Sequence, residues 1–347
     1  MIPPIKAAIV GASGYSGEEL TRLLLRHPNV ELAAVTSRQY AGQPLAGIFP
    51  KYSNDPRCRS LRFSDPDIGL LAKSAQVVFL ALPHGVAAQF AGPLLDLGCK
   101  VIDLSADFRL KSPAIYREFY GSEHPAPALL QNAVYGLPER YRAAIKQASL
   151  IASPGCYPTS ILLPLLPLLD KGLVQSDGII ADSLSGVSGA GRKVALEYLF
   201  PECNESARPY GIPKHRHLSE IEEQLGFAAK KPVILQFSPH LIPVNRGILT
   251  TLYLTPAASS LTESEVAACY QAAYAREPFI RLLEGKALPD TKNVTGTNVI
   301  EFAWRLDSRT GRLIVLSAID NVVKGASGQA VQSMNILCGF PETAGLI

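Results

Sequence analysis

Several features that would assign the chain at once are missing. No apolar run approaches the ~20 residues needed to cross a bilayer, and the most apolar stretch, Ile161 to Leu169, is interrupted by Pro164 and Pro167. Lys and Arg form no extended clustered run and the formal net charge is only +3, so there is no basic stripe to track a nucleic acid. The six cysteines (Cys58, Cys99, Cys156, Cys203, Cys269, Cys338) form no CxxC pair and no metal-ligand spacing. They read as reduced thiols, and neither a disulfide framework nor a metal centre is expected. The first residues, MIPPIKAAIVGASG, show no basic leader followed by a signal-type apolar core. A soluble, cytoplasmic protein with no membrane or nucleic-acid partner is expected, or one from an organelle matrix after removal of a transit peptide. Internal repeats and low-complexity linkers are absent too.

What remains is a composition that builds cores. Hydrophobic residues make up 47% of the 347 positions and charged residues 18%, and the length suits about two domains of ~150 residues. The modest positive bias suits an acidic, phosphorylated metabolite and a phosphate-bearing cofactor.

The first part of the chain alternates short apolar runs with helical stretches. Strands are expected at Ile5 to Val10, Val30 to Thr36, Gln76 to Leu82, Lys100 to Leu104 and Ala148 to Ala152, with helices at Gly17 to Arg26 and Val86 to Leu97. Strands apolar on both faces and separated by helices predict an α/β unit built on a doubly wound parallel sheet. After about residue 153 the pattern changes. Lys231 to Phe237, Gly247 to Leu254, Val299 to Leu306 and Leu313 to Ala318 read as strands without a helix between each pair. They predict an α+β unit with an antiparallel or mixed sheet. Thr262 to Arg276 is a helix opened by a capping-box spacing, Thr262 with Glu265. The tail from about Ala326 to Leu337 is an apolar helix that fits either the second unit or a return to the first.

Three segments carry chemistry. Gly11-Ala12-Ser13-Gly14-Tyr15-Ser16-Gly17 joins the first strand to the first helix. Its glycines allow a tight turn and close backbone approach, and the helix N-terminus offers partial positive charge to a pyrophosphate. The second strand ends Val35-Thr36-Ser37-Arg38, with no carboxylate to accept from ribose hydroxyls. Arg38 beside two hydroxyls suits a 2′-phosphate, so the expected cofactor is NADP(H).

The second segment is Ser153-Pro154-Gly155-Cys156-Tyr157-Pro158-Thr159, between a strand and the apolar helix. A thiol at a helix N-terminus gains from the dipole and from unsatisfied N–H groups, which favour the thiolate. The third is Lys214-His215-Arg216-His217-Leu218-Ser219-Glu220, two of only six histidines among basic residues at the start of an amphipathic helix. Glu220 lies one turn after His217, placed to fix its imidazole. Lys or Arg to hold a phosphate and a His as acid and base are what an acyl-phosphate enzyme requires.

In combination these segments resemble the N-acetyl-gamma-glutamyl-phosphate reductases, the arginine-biosynthesis branch of the semialdehyde dehydrogenase superfamily. The resemblance rests on GASGYSGEEL (11–20), SPGCYPT, SGVSGAGR (185–192), KHRHLSEI (214–221), PHLIPVNRGI (239–248) and DNVVKGASGQA (320–330), in the family's order over nearly the whole length. It implies a Rossmann domain of residues 1–152 and 321–347, and an α+β catalytic and oligomerisation domain of 153–320. The tail helix would then belong with the first domain. The expected assembly is a homotetramer or homodimer, and the expected partner a small acyl-phosphate substrate.

The reaction implied is attack by Cys156 on the acyl carbon of N-acetyl-glutamyl 5-phosphate, loss of phosphate, and hydride transfer from NADPH to the thioester. His217, oriented by Glu220, either moves the proton or pairs with the thiolate. Gly11, Ser13, Gly14, Tyr15, Gly17, Ser37, Arg38 and Pro83 are the expected cofactor contacts on the first domain. Ser188, Gly189 and Asn321 are expected near the nicotinamide. Ser153, Arg109, His215, Arg192 and Arg246 are the expected substrate contacts, with Arg109 also free to pair with Asp107. Two rival readings stand beside this one: a sister reductase of aspartyl or aminoadipyl phosphate, and a non-catalytic NADP-binding sensor.

Overall fold

The computed structural model describes residues 4–347. Backbone contacts divide it into two compact units. The first holds the residues up to Arg117, Ser122–Pro154 and Ala326–Ile347, and the second Glu118–Gly121 and Gly155–Gly325.

In the first unit the strands are β1 (Ile5–Val10), β2 (Val30–Thr36), β3 (Phe63–Ser64), β4 (Val77–Leu80), β5 (Lys100–Asp103), β6 (Val134–Tyr135) and β7 (Leu150–Ala152). They form a parallel sheet in the order β3-β2-β1-β4-β5-β7-β6. Both faces of β1 are buried, and alternate residues go to opposite layers, Ala7 and Ile9 to one core and Ala8 and Val10 to the other. The strand order reverses between β1 and β4, and in open parallel sheets ligands bind at such a switch point beyond the strands' carboxyl ends. The helix Gly328–Cys338 packs on the helices Tyr15–Arg26 and Pro138–Ile145, all within this unit.

The second unit contains β8 (Ile179–Gly186), β9 (Arg208–Pro209), β10 (Leu235–Ile242), β11 (Ile248–Leu254), β12 (Ile280–Leu282), β13 (Ile300–Asp307) and β14 (Arg312–Ile319). Their order is β12-β13-β14-β11-β8-β10-β9, with β8–β10 and β12–β13 parallel and the rest antiparallel. Helix Cys156–Asp170 packs on β11 and β14, and the helices His217–Ala229 and Glu263–Tyr274 pack on it in turn. Thr262 and Glu265 form the expected capping box.

Helix Cys156–Asp170 continues through Pro164 and Pro167 rather than ending at them. A proline inside a helix strands the carbonyl four residues earlier. Here both carbonyls are taken by side chains. Ser317 Oγ donates to the Ser160 carbonyl at 2.7 Å, and Tyr274 Oη to that of Leu163 at 2.6 Å. The prolines therefore key this helix to β14 and to the helix Glu263–Tyr274.

Two strand readings need correction. The strand expected at Lys231 to Phe237 runs instead from Leu235 to Ile242 and includes Pro239. Lys230 takes a left-handed conformation that ends the preceding helix, so the chain is still turning at Lys231 and Pro232. β8, at Ile179–Gly186, was not anticipated, because its serines and aspartate mask the alternation.

Candidate active site

The Gly11–Gly17 turn occupies the switch point of the parallel sheet. Gly11 has φ +85, and a Cβ there would lie 2.3 Å from the Ala81 carbonyl oxygen. A Cβ at Gly17 would lie 2.3 Å from the Gly11 oxygen. Those two glycines are required by the packing of the turn itself. Gly14, the N-cap of helix Tyr15–Arg26, is different: a Cβ there meets only the Gly11 oxygen, at 3.7 Å. The open space above it belongs to a cavity of about 360 Å³ lined by Gly11, Ser13, Gly14, Ser37, Arg38 and Pro83, among others. Ser13 Oγ and Ser37 Oγ share a hydrogen bond of 2.9 Å, which joins the turn to the end of β2. Tyr15 opens the helix and is 39% exposed. A helix N-terminus, an uncrowded glycine and an arginine fit the phosphates of a dinucleotide.

Cys156 is the first residue of helix Cys156–Asp170, with Gly155 as the N-cap. It lines a cavity of about 690 Å³ in the second unit together with His215 and His217. His217 opens its own helix, His217–Ala229, and is 9% exposed. Glu220, 1% exposed, accepts the Gly155 N–H at 2.9 Å. That carboxylate therefore joins the first turn of the histidine helix to the N-cap of the cysteine helix. On the other side Gly325, in the π-helical turn Val323–Ser327, lies so close that a Cβ there would stand 2.7 Å from the Cys156 Cβ. π-turns of this kind recur at functional sites.

His215 sits among rings. Its ring centroid is 5.6 Å from that of Tyr157, 5.5 Å from Phe237 and 4.9 Å from His217. Burial, helped by nearby Arg216, lowers its pKa to about 4. Its Nδ1 accepts the His217 N–H at 3.1 Å, so the neutral ring carries its proton on Nε2. His215 is thus a neutral donor at pH 7 rather than a cation. Tyr157 and Tyr210 share a hydroxyl–hydroxyl bond of 2.8 Å, and burial pushes both phenols up.

Charge comes from elsewhere. Lys193, Arg208, Lys214 and Arg216 line the cavity, against one carboxylate, Glu197. Lys214 Nζ pairs with Glu118 at 2.8 Å, and Arg208 Nη2 donates to the Glu197 carbonyl at 2.8 Å. The sequence reading did not single out Lys193, Tyr198, Arg208 or Tyr210. Arg208 and Tyr210 come to the cavity through β9, a two-residue strand with no periodicity to detect.

The remaining expected contacts lie as follows. Arg109 and Ser153 belong to the first unit, where Arg109 Nε donates to the Ser153 carbonyl at 2.8 Å and Nη2 to that of Leu104 at 3.0 Å. Arg109 thereby braces the ends of β5 and β7. Asp107 accepts from Gly85 N, Ala88 N and Tyr116 Oη. In the second unit Arg246 Nη1 is 3.5 Å from Asp320 Oδ2, and Arg192 is exposed beside the cavity-lining Lys193. Asn321 Nδ2 donates to Ser188 Oγ at 3.0 Å and its Oδ1 accepts from Gly247 N at 2.8 Å. Gly189 lies against Ser185 Oγ and Asn321 Nδ2. Among the described residues no cluster of three or more His, Cys, Asp or Glu could hold a metal ion, and no helix is long and apolar enough to cross a membrane.

A dinucleotide-type turn in one unit, and a cysteine that opens a helix and shares a cation-rimmed cavity with a histidine in the other, define the semialdehyde dehydrogenases. The family model described as the semialdehyde dehydrogenase NAD binding domain matches residues 6–148, and the one described as the dimerisation domain matches 156–321. Solved structures under 25% identical show the same fold. Aspartate semialdehyde dehydrogenase II of Vibrio cholerae has TM-score 0.74 at 18% identity over 97% of this chain and 98% of that one. The Candida albicans aspartate semialdehyde dehydrogenase, solved with NADP, has TM-score 0.72 at 18% identity over 96% and 98%.

Closer relatives narrow the class. Proteins named N-acetyl-gamma-glutamyl-phosphate reductase from Akkermansia muciniphila and Moorella thermoacetica are 56% and 50% identical, each over 99% of this chain and 98% of its own length. The chain belongs to the N-acetyl-gamma-glutamyl-phosphate reductase family of phosphorylating semialdehyde dehydrogenases, and is an enzyme that binds a nicotinamide cofactor.

Proposed function

We propose that the enzyme reduces N-acetyl-L-glutamyl 5-phosphate to N-acetyl-L-glutamate 5-semialdehyde with NADPH, releasing phosphate, as a step of arginine biosynthesis. The observation that carries this reading is Cys156 at a helix N-terminus, in one cavity with His217 and four cationic side chains. The names of the full-length relatives support the substrate.

The Cys156 thiolate, favoured by the helix dipole, attacks the acyl carbon. The S–C bond forms as the C–O bond to phosphate breaks, and phosphate leaves with the electron pair. Backbone N–H groups of the helix's first turn stabilise the oxyanion. The Gly155 N–H is not among them, because Glu220 takes it. Cations at the cavity's Cys156 end hold the phosphate as it departs. Bound NADPH supplies hydride to the thioester carbon. His217 then donates a proton to the hemithioacetal oxygen and takes it back as the C–S bond breaks and the thiolate returns. Glu220 serves by holding the histidine helix to the cysteine helix, so that the two reactive side chains keep their spacing.

Arg38, with Ser37 and Ser13, binds the adenosine 2′-phosphate. Support comes from the cavity lining and from the absence of a carboxylate at the end of β2. Assembly as a homodimer or homotetramer is also proposed. On the second sheet the register row Ile314–Tyr253–Ile180 is apolar and part-exposed, with Ile180 and Tyr253 37% and 38% exposed. The name of the matching dimerisation domain points the same way.

The reaction is tested in reverse with purified protein, the semialdehyde, phosphate and NADP+, following the absorbance of NADPH. Phosphate-dependent reduction that prefers N-acetylglutamate semialdehyde over aspartate semialdehyde is expected. The opposite preference, or no phosphate dependence, contradicts the assignment.

A further inference from the structure

The sheet of the second unit lays out one row of side chains that ends at the nucleophile. Arg208 on β9 pairs with Leu241 on β10, and Leu241 pairs with Ser185 on β8. Paired residues on neighbouring strands point to the same face, and all three line the Cys156 cavity. With strands ~4.8 Å apart, the Arg208 backbone lies roughly 10 Å from that of Ser185. Ser185 marks the reacting end. Its Oγ lies against Gly189, which also meets Asn321, and Asn321 opens the turn whose Gly325 abuts Cys156. Leu241, only 8% exposed, supplies an apolar floor between the two ends.

Arg208 has the features of a receptor for an anion remote from the chemistry. It is half-buried, and one of its N–H groups is held by the Glu197 carbonyl at 2.8 Å, which fixes the guanidinium in place. A guanidinium offers five N–H groups in a planar fork that matches a carboxylate bidentately. The other cavity cations are placed differently. Lys214 is drawn to Glu118, while Lys193 and Arg216 are exposed on loop and helix start. Cation, apolar floor, hydroxyl and thiol follow one another in the order of carboxylate, methylene chain and acyl carbon in a glutamyl group.

We infer that Arg208 binds the α-carboxylate of the acylated amino-acid substrate and so sets specificity for a chain with an acid at its far end. The inference rests on the reaction proposed above. It assigns the cavity's remaining cations to the phosphate, which departs at the Cys156 end.

The test compares two aldehydes in the reverse direction, N-acetylglutamate semialdehyde and 4-acetamidobutanal, which differ by that carboxylate alone. The wild type should prefer the carboxylated aldehyde by about 100-fold in kcat/KM, the scale of a lost charged hydrogen-bond pair. Arg208→Gln should bring the preference below about 5-fold, chiefly through KM for the carboxylated aldehyde, and Arg208→Lys should fall between. Binding of NADP+, measured on all three proteins, should be the same. A preference that survives in Arg208→Gln, or an equal loss with both aldehydes as a purely structural bond to Glu197 would give, overturns the role of Arg208. A wild type that turns over neither aldehyde refutes the underlying reaction instead.

Discussion

Replacing Gly325 with alanine adds one methyl group, directed at the nucleophile. The new Cβ would stand 2.7 Å from the Cys156 Cβ and 3.1 Å from its Cα, where ordinary contact begins near 3.4 Å. Some atom must move by about 0.7 Å. The Gly325 side is firmly held. Its N–H donates to the Asp320 carbonyl at 2.9 Å, and the buried Asp320 carboxylate accepts the N–H groups of Val322, Val323 and Gly296. Gly325 lies outside the left-handed region, so alanine adds contact and no backbone strain. Cys156 therefore yields. Overpacking of this kind costs about 1–3 kcal/mol of stability. A displacement approaching 1 Å at a reacting atom costs up to about 100-fold in rate. Gly325→Ala should thus lower kcat by about 10- to 100-fold and reduce Tm by several degrees, read from steady-state kinetics and thermal unfolding. Wild-type kcat with unchanged Tm would refute the claim that this turn positions the thiol.

Ser317→Ala should cost about 1–3 kcal/mol in urea unfolding, since it leaves the buried Ser160 carbonyl without its donor. The cost should shrink in a Pro164→Ala background, where the helix supplies its own N–H, and an undiminished cost there contradicts the capping argument. Arg38→Ala should weaken NADPH binding by at least about 10-fold and NADH binding little, from charge-assisted hydrogen-bond energetics; fluorescence titration giving equal losses removes Arg38 from the 2′-phosphate. Burial, with Asp107 nearby, pushes the Asp103 carboxyl up to about 7. Because the folded pKa exceeds the unfolded one, the native state keeps its proton longer and loses relative stability as pH rises from about 4 through 7. Asp103→Asn should therefore gain on the wild type by up to a few kcal/mol between pH 4 and pH 8. A stability difference that stays flat across that range contradicts the buried-acid reading.

Much of the first unit is legible because its signals are local. β1 and β2 are bounded in the structure where their apolar runs begin and end, and the glycine turn between them marks the switch point. The cysteine helix is legible at its start but not along its length. Pro164 and Pro167 read as breaks, and only the hydroxyls of Ser317 and Tyr274, far along the chain, make them tolerable. The same limit applies to the candidate site. Cys156 and His217 announce themselves through helix starts and neighbouring charges, and both line the cavity. Arg208 and Tyr210 do not, since a two-residue edge strand brings them there through its register with β10. Glu220 illustrates a subtler gap. Its spacing suggests service to His217; its bond to the Gly155 N–H is a further link that depends on how two helices pack, which periodicity does not encode.

The proposed reaction turns on transfer of the acyl group to sulfur at Cys156. It is tested most directly by mixing the enzyme with the acyl phosphate in the absence of NADPH, then quenching in acid and mapping the protein by mass spectrometry. One acyl adduct per active site on the peptide carrying Cys156, with a matching burst of phosphate and no adduct in Cys156→Ser, is the predicted result. Turnover that persists in Cys156→Ser, or an adduct on another residue, would contradict the account.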